Sequence, residues 1–170
     1  MALRNALMSR IKDGAPRFKE IDHLKEEIAK ARSITVLACG TSYHAGLVFQ
    51  RFIQDYSEIR IEVEVASEFR YRRLPEGFSD LVIAISQSGE TADTLEGIRK
   101  AKRLGTRIIS LTNVVGSTIS RESDAVIYIN AGPEIGVAST KAFTTQISVL
   151  FMLALHIGRR LGVLDPQDIR

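Results

Sequence analysis

Apolar positions along the chain fall into two alternating patterns: short continuous runs, and stretches at helical spacing. The runs at 34–39, 81–85, 107–112 and 125–129 are short and rich in β-branched residues. The run at 81–85 suits a strand buried on both faces and that at 34–39 another buried strand, and the other two read as further strands. The run at 61–66 differs, because Ile61, Val63 and Val65 alternate with Glu62 and Glu64. That is the pattern of a strand with one wet face, and it belongs at a sheet edge. The intervening stretches predict helices. Leu3, Leu7 and Met8 suit a leading helix, which Asp13-Gly14-Ala15-Pro16 breaks, and Ile21, Leu24, Ile28 and Ala31 share one face of a second. A helix is expected at about 43–55 and a short one from Ser67, with Ser67 as N-cap and Pro75-Glu76-Gly77 as its close. Leu95, Ile98 and Ala101 are one turn apart, a short helix runs to Ser123, and a long one spans about 140–161. The middle of that last helix is apolar nearly all round, which predicts burial under the sheet or against another subunit.

Strands alternating with helices at this spacing predict an α/β fold: a parallel sheet with helices on both faces, a three-layer α-β-α sandwich. The expected order of its five strands is 2-1-3-4-5, as in flavodoxin-like folds. Residues 1–31 form an N-terminal helical segment and 32–170 the domain proper. Right-handed crossovers place every strand-end turn on one rim. In such a sheet a ligand sits where the strand order reverses, which here is between the strands ending at Cys39 and Ser86.

At 170 residues, 45% apolar and 25% charged, the chain suits one ordered domain with a full core. A net charge of +3 with no block of five like charges gives no argument for nucleic acid. Arg70-Tyr71-Arg72-Arg73, the densest cationic stretch, is expected to be a solvated helix face. The single cysteine, Cys39, excludes an internal disulfide and a Cys-rich zinc site, and its place at the end of an apolar run predicts a buried structural thiol. No apolar leader follows Met1, and the most apolar stretch, 147–157, is about half a membrane span. The expectation is a cytoplasmic protein with no metal or redox cofactor. A homodimer is expected as well, because the final and leading helices offer more apolar surface than a small sheet needs.

The chemistry concentrates where the third strand ends, in Ser86-Gln87-Ser88-Gly89-Glu90-Thr91. The first turn of a helix has backbone N–H groups without partners and a partial positive charge, so it attracts an anion. Three hydroxyls (Ser86, Ser88, Thr91) add hydrogen bonds without adding charge, and Gly89 lets a ligand approach the backbone. A phosphate fits this pattern, although Ser and Thr also serve as plain N-caps. The first strand repeats the design with Gly40-Thr41-Ser42. Neither turn is a dinucleotide fingerprint or a P-loop, because the required Gly-x-x-Gly and Gly-Lys-Ser/Thr spacings are missing. The last strand feeds a loop, 130–139, with two glycines and a proline.

Three rim stretches together carry a resemblance: Cys39-Gly40-Thr41-Ser42-Tyr43, Ser86-Gln87-Ser88-Gly89-Glu90-Thr91-Ala92-Asp93-Thr94, and Glu134-Ile135-Gly136-Val137-Ala138-Ser139-Thr140-Lys141-Ala142-Phe143-Thr144. They closely resemble the first sugar-isomerase (SIS) domain of the glucosamine-6-phosphate synthase family, and Ala66-Ser67-Glu68-Phe69-Arg70-Tyr71 is similar to it too. The resemblance implies that Ser86, Gln87, Ser88 and Thr91, with Ser42 beside them, hold the phosphate of fructose 6-phosphate or glucosamine 6-phosphate. It implies that Thr41, the Val137 backbone and Ser139 face the sugar. It further implies a glutaminase domain and a second SIS domain as partners, with the catalytic acid–base set in that second domain and none identified here. Glu134 and Lys141 are the nearest local stand-ins, each with an easier explanation as a solvated carboxylate and a helix first-turn lysine. His44, next to the first turn, matches nothing the family requires. The alternatives are a stand-alone SIS aldose–ketose isomerase and a phosphosugar-sensing regulatory domain. Nothing ahead of Ile34 provides a basic recognition helix for DNA.

Overall fold

The computed structural model describes residues 2–8, 10–12, 14–132 and 140–164. The elements are α1 (Ala2–Met8), β1 (Ile11–Lys12), β2 (Ala15–Pro16), a 3-10 helix (Lys19–Leu24), α2 (Lys25–Lys30), β3 (Ser33–Ala38) and α3 (Gly40–Tyr56). They continue with β4 (Arg60–Val65), α4 (Ala66–Phe69), β5 (Leu81–Ser86), α5 (Ala92–Arg103), β6 (Arg107–Thr112), α6 (Thr118–Glu122), β7 (Ala125–Tyr128) and α7 (Lys141–Arg160).

The main sheet is parallel, with order β4-β3-β5-β6-β7. This is the expected 2-1-3-4-5 arrangement with β4 on an edge. In register, Ala38 pairs with Ile85 and Ser86 with Thr112, so the strands of the sheet's centre end level with one another. The period-two geometry of a strand sends alternate side chains to opposite faces. Ile34, Val36, Leu81, Ile83, Ile85, Ile109 and Leu111 pack on one face with Phe49 and Ile53 of α3 and Leu150 and Leu153 of α7. Leu37, Val82, Ala84 and Ile108 pack on the other with Phe69, Ile98, Ala101 and Ile119. Hence α3 and α7 cover one side of the sheet and α4, α5 and α6 the other. A side chain at Gly46 would meet the Val36 and Val63 methyls at 3.0 Å, so this glycine lets α3 lie close on β3 and β4.

The N-terminal segment is less regular than its spacing suggests. Near the expected break two short strands pair antiparallel, with Ile11 opposite Pro16, and Gly14 stands at φ 76°. The second helix begins as a 3-10 turn before becoming α2. Its expected apolar face does exist: Ile21, Leu24, Ile28 and Ala31 are buried, with Phe18, against the α3–α7 side of the core. Arg10 locks the segment down. Only 3% exposed, it donates to Ala6 O (2.9 Å), Glu20 Oε1 (2.8 Å) and Tyr128 O (2.7 Å), and its guanidinium lies 5.4 Å from the Phe18 ring. A charge buried this deeply persists because both terminal nitrogens are paired.

α7 is long and apolar enough, by length and composition, to cross a membrane. Eleven of its 20 residues are buried in this domain, where α1, β2, α2 and α3 pack on it. The apolar surface on which a homodimer is expected is therefore largely consumed within the chain.

Three local expectations are corrected. Cys39 is half-exposed, because it lies past the end of β3 at the N-cap of α3. Ser67 does not cap the short helix, which begins at Ala66 with Val65 in the N-cap position. Arg70 is the C-cap of that helix, so Arg70 to Arg73 form an exposed turn and not a helix face. Lys100 satisfies the end of α4 by donating to Phe69 O at 3.0 Å and Arg70 O at 3.2 Å.

His156 joins α7 to β2. Its ring lies 5.5 Å from that of Phe18, and its Nδ1 is 3.2 Å from Pro16 O. Burial pushes the imidazole pKa below its ordinary value; the Pro16 carbonyl and Asp22 oppose this, and Arg160 and Arg159 reinforce it. The native state thus resists a proton that the unfolded chain accepts at about pH 6.5. Stability is unaffected above that pH and declines as the pH falls through it toward the lower native value. Thermal melts between about pH 7 and pH 5 are expected to show this decline, and His156→Gln is expected to flatten it. Equal slopes in the two proteins would assign the pH response elsewhere.

Candidate functional site

Two strand-to-helix turns of the same design meet on the rim. At the first, Cys39 is extended at φ −130°, Gly40 turns left-handed at φ 58°, and α3 begins at Gly40 itself. Thr41 and Ser42 therefore lie in the first helical turn, where the sequence suggests a loop. Thr41 is exposed. Ser42 is 7% exposed and accepts a 3.0 Å hydrogen bond from Nε2 of Gln146, a buried residue of α7. The second turn leaves β5 at Ser86 and enters α5 at Ala92. Ser86 Oγ accepts from Gly89 N at 3.0 Å and lies 2.9 Å from Thr91 Oγ1. Ser88 Oγ accepts from Glu90 N at 3.1 Å. Gln87, Ser88 and Thr91 are half-buried and face the rim from a folded-in turn, while Ser86 is only 2% exposed.

Neither α3 nor α5 has a side-chain cap. Thr91 occupies the N-cap position of α5 but bonds Ser86, so the first-turn amides of α5 keep their capacity to donate. Neither turn contains Lys or Arg. The charge on offer is that of two helix N-termini, supplemented by hydroxyls and an amide side chain. One carboxylate, Asp93, stands in the first turn of α5, and Arg70 Nη1 holds it at 2.9 Å. That exposed pair contributes little to stability, but it partly offsets a negative charge beside the helix N-terminus.

Gly89 is demanded twice. It sits at φ 66°, and a Cβ there would overlap the Ser117 side chain and Thr112 Oγ1. Neighbouring elements hold the outer flank of the turn. Asn113 N donates to Gln87 O at 3.1 Å, Ile119 N to Gly89 O at 3.0 Å, and Thr118 N to Glu90 Oε1 at 2.7 Å. Hydrogen bonds from the Thr118 amide and hydroxyl keep the Glu90 carboxyl below the usual carboxylate range, against an opposing effect of burial, with Arg121 adding to the lowering. Asn113 also fixes the start of the last rim loop: its Oδ1 accepts from Ala131 N and its Nδ2 donates to Gly132 O, both at 2.8 Å.

The structure thus brings Thr41, Ser42, Ser86, Gln87, Ser88 and Thr91 onto the strand-end rim, on the two turns that flank the reversal of strand order. Val137, Ser139 and Glu134 lie outside the described residues. Lys141 is the exposed first residue of α7, and His44 is exposed on α3 with its ring 5.7 Å from that of Tyr43. Among the described residues no group of His, Cys, Asp and Glu is arranged to hold a metal ion. The sequence reading missed Gln146, Asn113 and Glu90. A polar Gln in the middle of an apolar helix was the one available signal for the first; the others are tertiary partners without a local pattern.

A separate hollow of about 340 Å³ is lined by Lys12, Arg17, His156, Arg159 and Arg160 among others. It lies at the opposite end of α7, about 20 Å along the helix from Gln146.

A family profile described as the SIS domain matches residues 27–156. The glutamine–fructose-6-phosphate aminotransferase (isomerizing) of Thermotoga maritima is 53% identical over 166 residues, covering 98% of this chain and 27% of that protein. The protein of the same name from Clostridium tetani is 46% identical over 168 residues, covering 98% of this chain and 28% of that protein. The chain therefore spans little more than a quarter of the length of these relatives. Among solved structures, the C-terminal domain of glucosamine-fructose-6-phosphate aminotransferase from Francisella tularensis superposes with a TM-score of 0.90 at 42% identity, over 99% of this chain and 47% of that one. A protein of Escherichia coli shares the fold, with a TM-score of 0.71 at 20% identity over 99% of this chain and 89% of that one.

The double constraint at Gly89 gives a direct test of the turn. Gly89→Ala is expected to destabilise the protein by about 2 kcal/mol or more in urea denaturation, combining left-handed strain with overlap. A loss below about 0.5 kcal/mol would mean that the turn relaxes freely and is not held as described.

Proposed function

Because the chain belongs to the SIS-domain family, we propose that its rim binds the phosphate and sugar of fructose 6-phosphate and glucosamine 6-phosphate. One observation carries the reading: the 86–91 turn presents hydroxyls, an amide side chain and uncapped helix amides, with no cation, at the reversal of strand order. Ser88, Thr91 and Gln87 supply donors to the phosphate, with Ser42 from the facing turn. Ser86 joins them and also acts at one remove, because its oxygen already accepts from Gly89 N and shapes the turn. Thr41, the Val137 backbone and Ser139 address the sugar hydroxyls. Helix N-termini and neutral donors can hold a phosphate without a lysine clamp.

In this reading residues 32–170 are the first isomerase half of a glutamine-dependent glucosamine-6-phosphate synthase, with 1–31 as a segment packed on it. The likeness to two aminotransferases of the same name at 53% and 46% identity supports it. The parent enzyme would transfer nitrogen from glutamine in a glutaminase domain and isomerise the amino sugar in the cytoplasm. The acid–base groups that move protons between C1 and C2 would come from a second SIS domain. This half anchors the phosphate and so fixes where the reacting carbons lie, a positioning contribution to catalysis. Phe151 is 37% exposed on α7, with its ring against those of Phe52 and Tyr56 on α3, and this patch offers a surface on which a homodimer would form.

Calorimetric titration with glucosamine 6-phosphate is expected to show binding that neither glucosamine nor inorganic phosphate reproduces. The Ser88→Ala/Thr91→Ala double variant is expected to weaken it at least about tenfold, the equivalent of one hydrogen bond to a charged group. Affinity unchanged in that variant would place the phosphate elsewhere. In a coupled assay the chain by itself is expected to form no glucosamine 6-phosphate from fructose 6-phosphate and glutamine, and measurable turnover would put the acid–base groups within these residues.

A further inference from the structure

The phosphate turn is shaped by a contact that no phosphate role explains. Glu90 lies within the turn, yet its carboxylate is committed to α6, where Oε1 accepts from Thr118 N at 2.7 Å. The next amide of α6, Ile119 N, donates to the preceding residue of the turn at Gly89 O, 3.0 Å away. Two adjacent amides of one element thus hold two adjacent residues of the other. The natural cap of α6, Ser117, makes no cap bond. Its Oγ is buried without a partner among the described residues and stands against the Cα of Gly89. The helix is capped from another part of the chain, and its own N-cap residue serves as a wall for the glycine.

α6 is in turn fastened to the helix that follows the turn. Glu122 of α6 pairs with Arg99 of α5 through two hydrogen bonds of 2.7 and 2.9 Å. Arg121 donates to Thr118 Oγ1 at 2.9 Å and balances the charge beside Glu90. The turn, α5 and α6 therefore form a closed loop of contacts.

We infer that α6 is the template against which the phosphate turn is set, and that Glu90 is the positioning residue through which it acts. The inference rests on the phosphosugar reading of the rim. Without the Glu90 carboxylate, the Thr118 amide loses its acceptor and the turn loses one of its two hydrogen bonds to α6, so ligand binding must supply the ordering that α6 now supplies. Glu90 does not touch the ligand. Its effect on binding passes through Gly89, Ser88 and Thr91.

The test uses the whole chain as wild type, Glu90→Ala and Glu90→Gln, the last of which retains an acceptor oxygen. Amide hydrogen exchange in the free protein is compared at 86–91 and 117–119, alongside melting temperature and titration with glucosamine 6-phosphate. Glu90→Ala is expected to speed exchange at Thr118, Ile119 and Gly89 and to weaken binding about tenfold, with the melt within about 2 °C of wild type. Glu90→Gln is expected to restore most of both. A wild type that binds, with an alanine variant unchanged in either exchange or affinity, overturns the inference and leaves the phosphosugar reading standing. A wild type that does not bind sinks that reading, and the inference with it.

Discussion

The reversal of strand order between β3 and β5 is the constraint on which the rest of the molecule depends. The two strands are neighbours, run parallel and end level, yet the chain leaves them in opposite directions: α3 to one face of the sheet, α5 to the other. Their helices cannot close over the strand ends, and a crevice remains with a helix N-terminus on each side. Every other feature of the rim serves this opening. Left-handed glycines at Gly40 and Gly89 make each strand-to-helix turn short. Gln146 ties α7 to the first turn, and α6 backs the second.

The electrostatics of the crevice are those of backbone and hydroxyl dipoles. In the proposed reading a phosphate ester would be held there by many weak donors in fixed positions, so that its affinity would depend on geometry more than on net charge. The contrast within the molecule is the basic hollow at the far end of α7, where Arg159, Arg160, Arg17 and Lys12 gather. Bulk attraction for a dianion is greater there, but Asp22 already engages Arg160 at 2.6 Å and Arg17 at 3.8 Å. The rim thus presents preorganised neutral donors, and the hollow exposed charge already partly engaged by a carboxylate.

Much of this architecture was legible in the sequence. β6 spans 107–112 as the apolar run did, and the wet edge of β4 followed from Glu62 and Glu64. The strand order, the buried final helix and the SIS family all stand. What escaped the sequence has physical reasons. α3 starts three residues earlier than its apolar spacing, because Gly40 makes the turn alone at φ 58°. Cys39 looked buried as the last apolar residue of a strand, yet the strand ends at Ala38. The partners of the candidate site were hidden by distance along the chain: Gln146 is 104 residues from Ser42, and Thr118 is 28 from Glu90. Local pattern reports which face a residue occupies, not which remote element will share that face.

The central claim is that a phosphosugar sits between α3 and α5, held by neutral donors. Mapping backbone amide NMR shifts during titration with glucosamine 6-phosphate tests it most directly. The largest saturable shifts are expected at 40–42 and 86–92, with Arg159, Arg160 and Lys12 unmoved. Shifts concentrated at the basic hollow, with the two turns silent, would contradict the account.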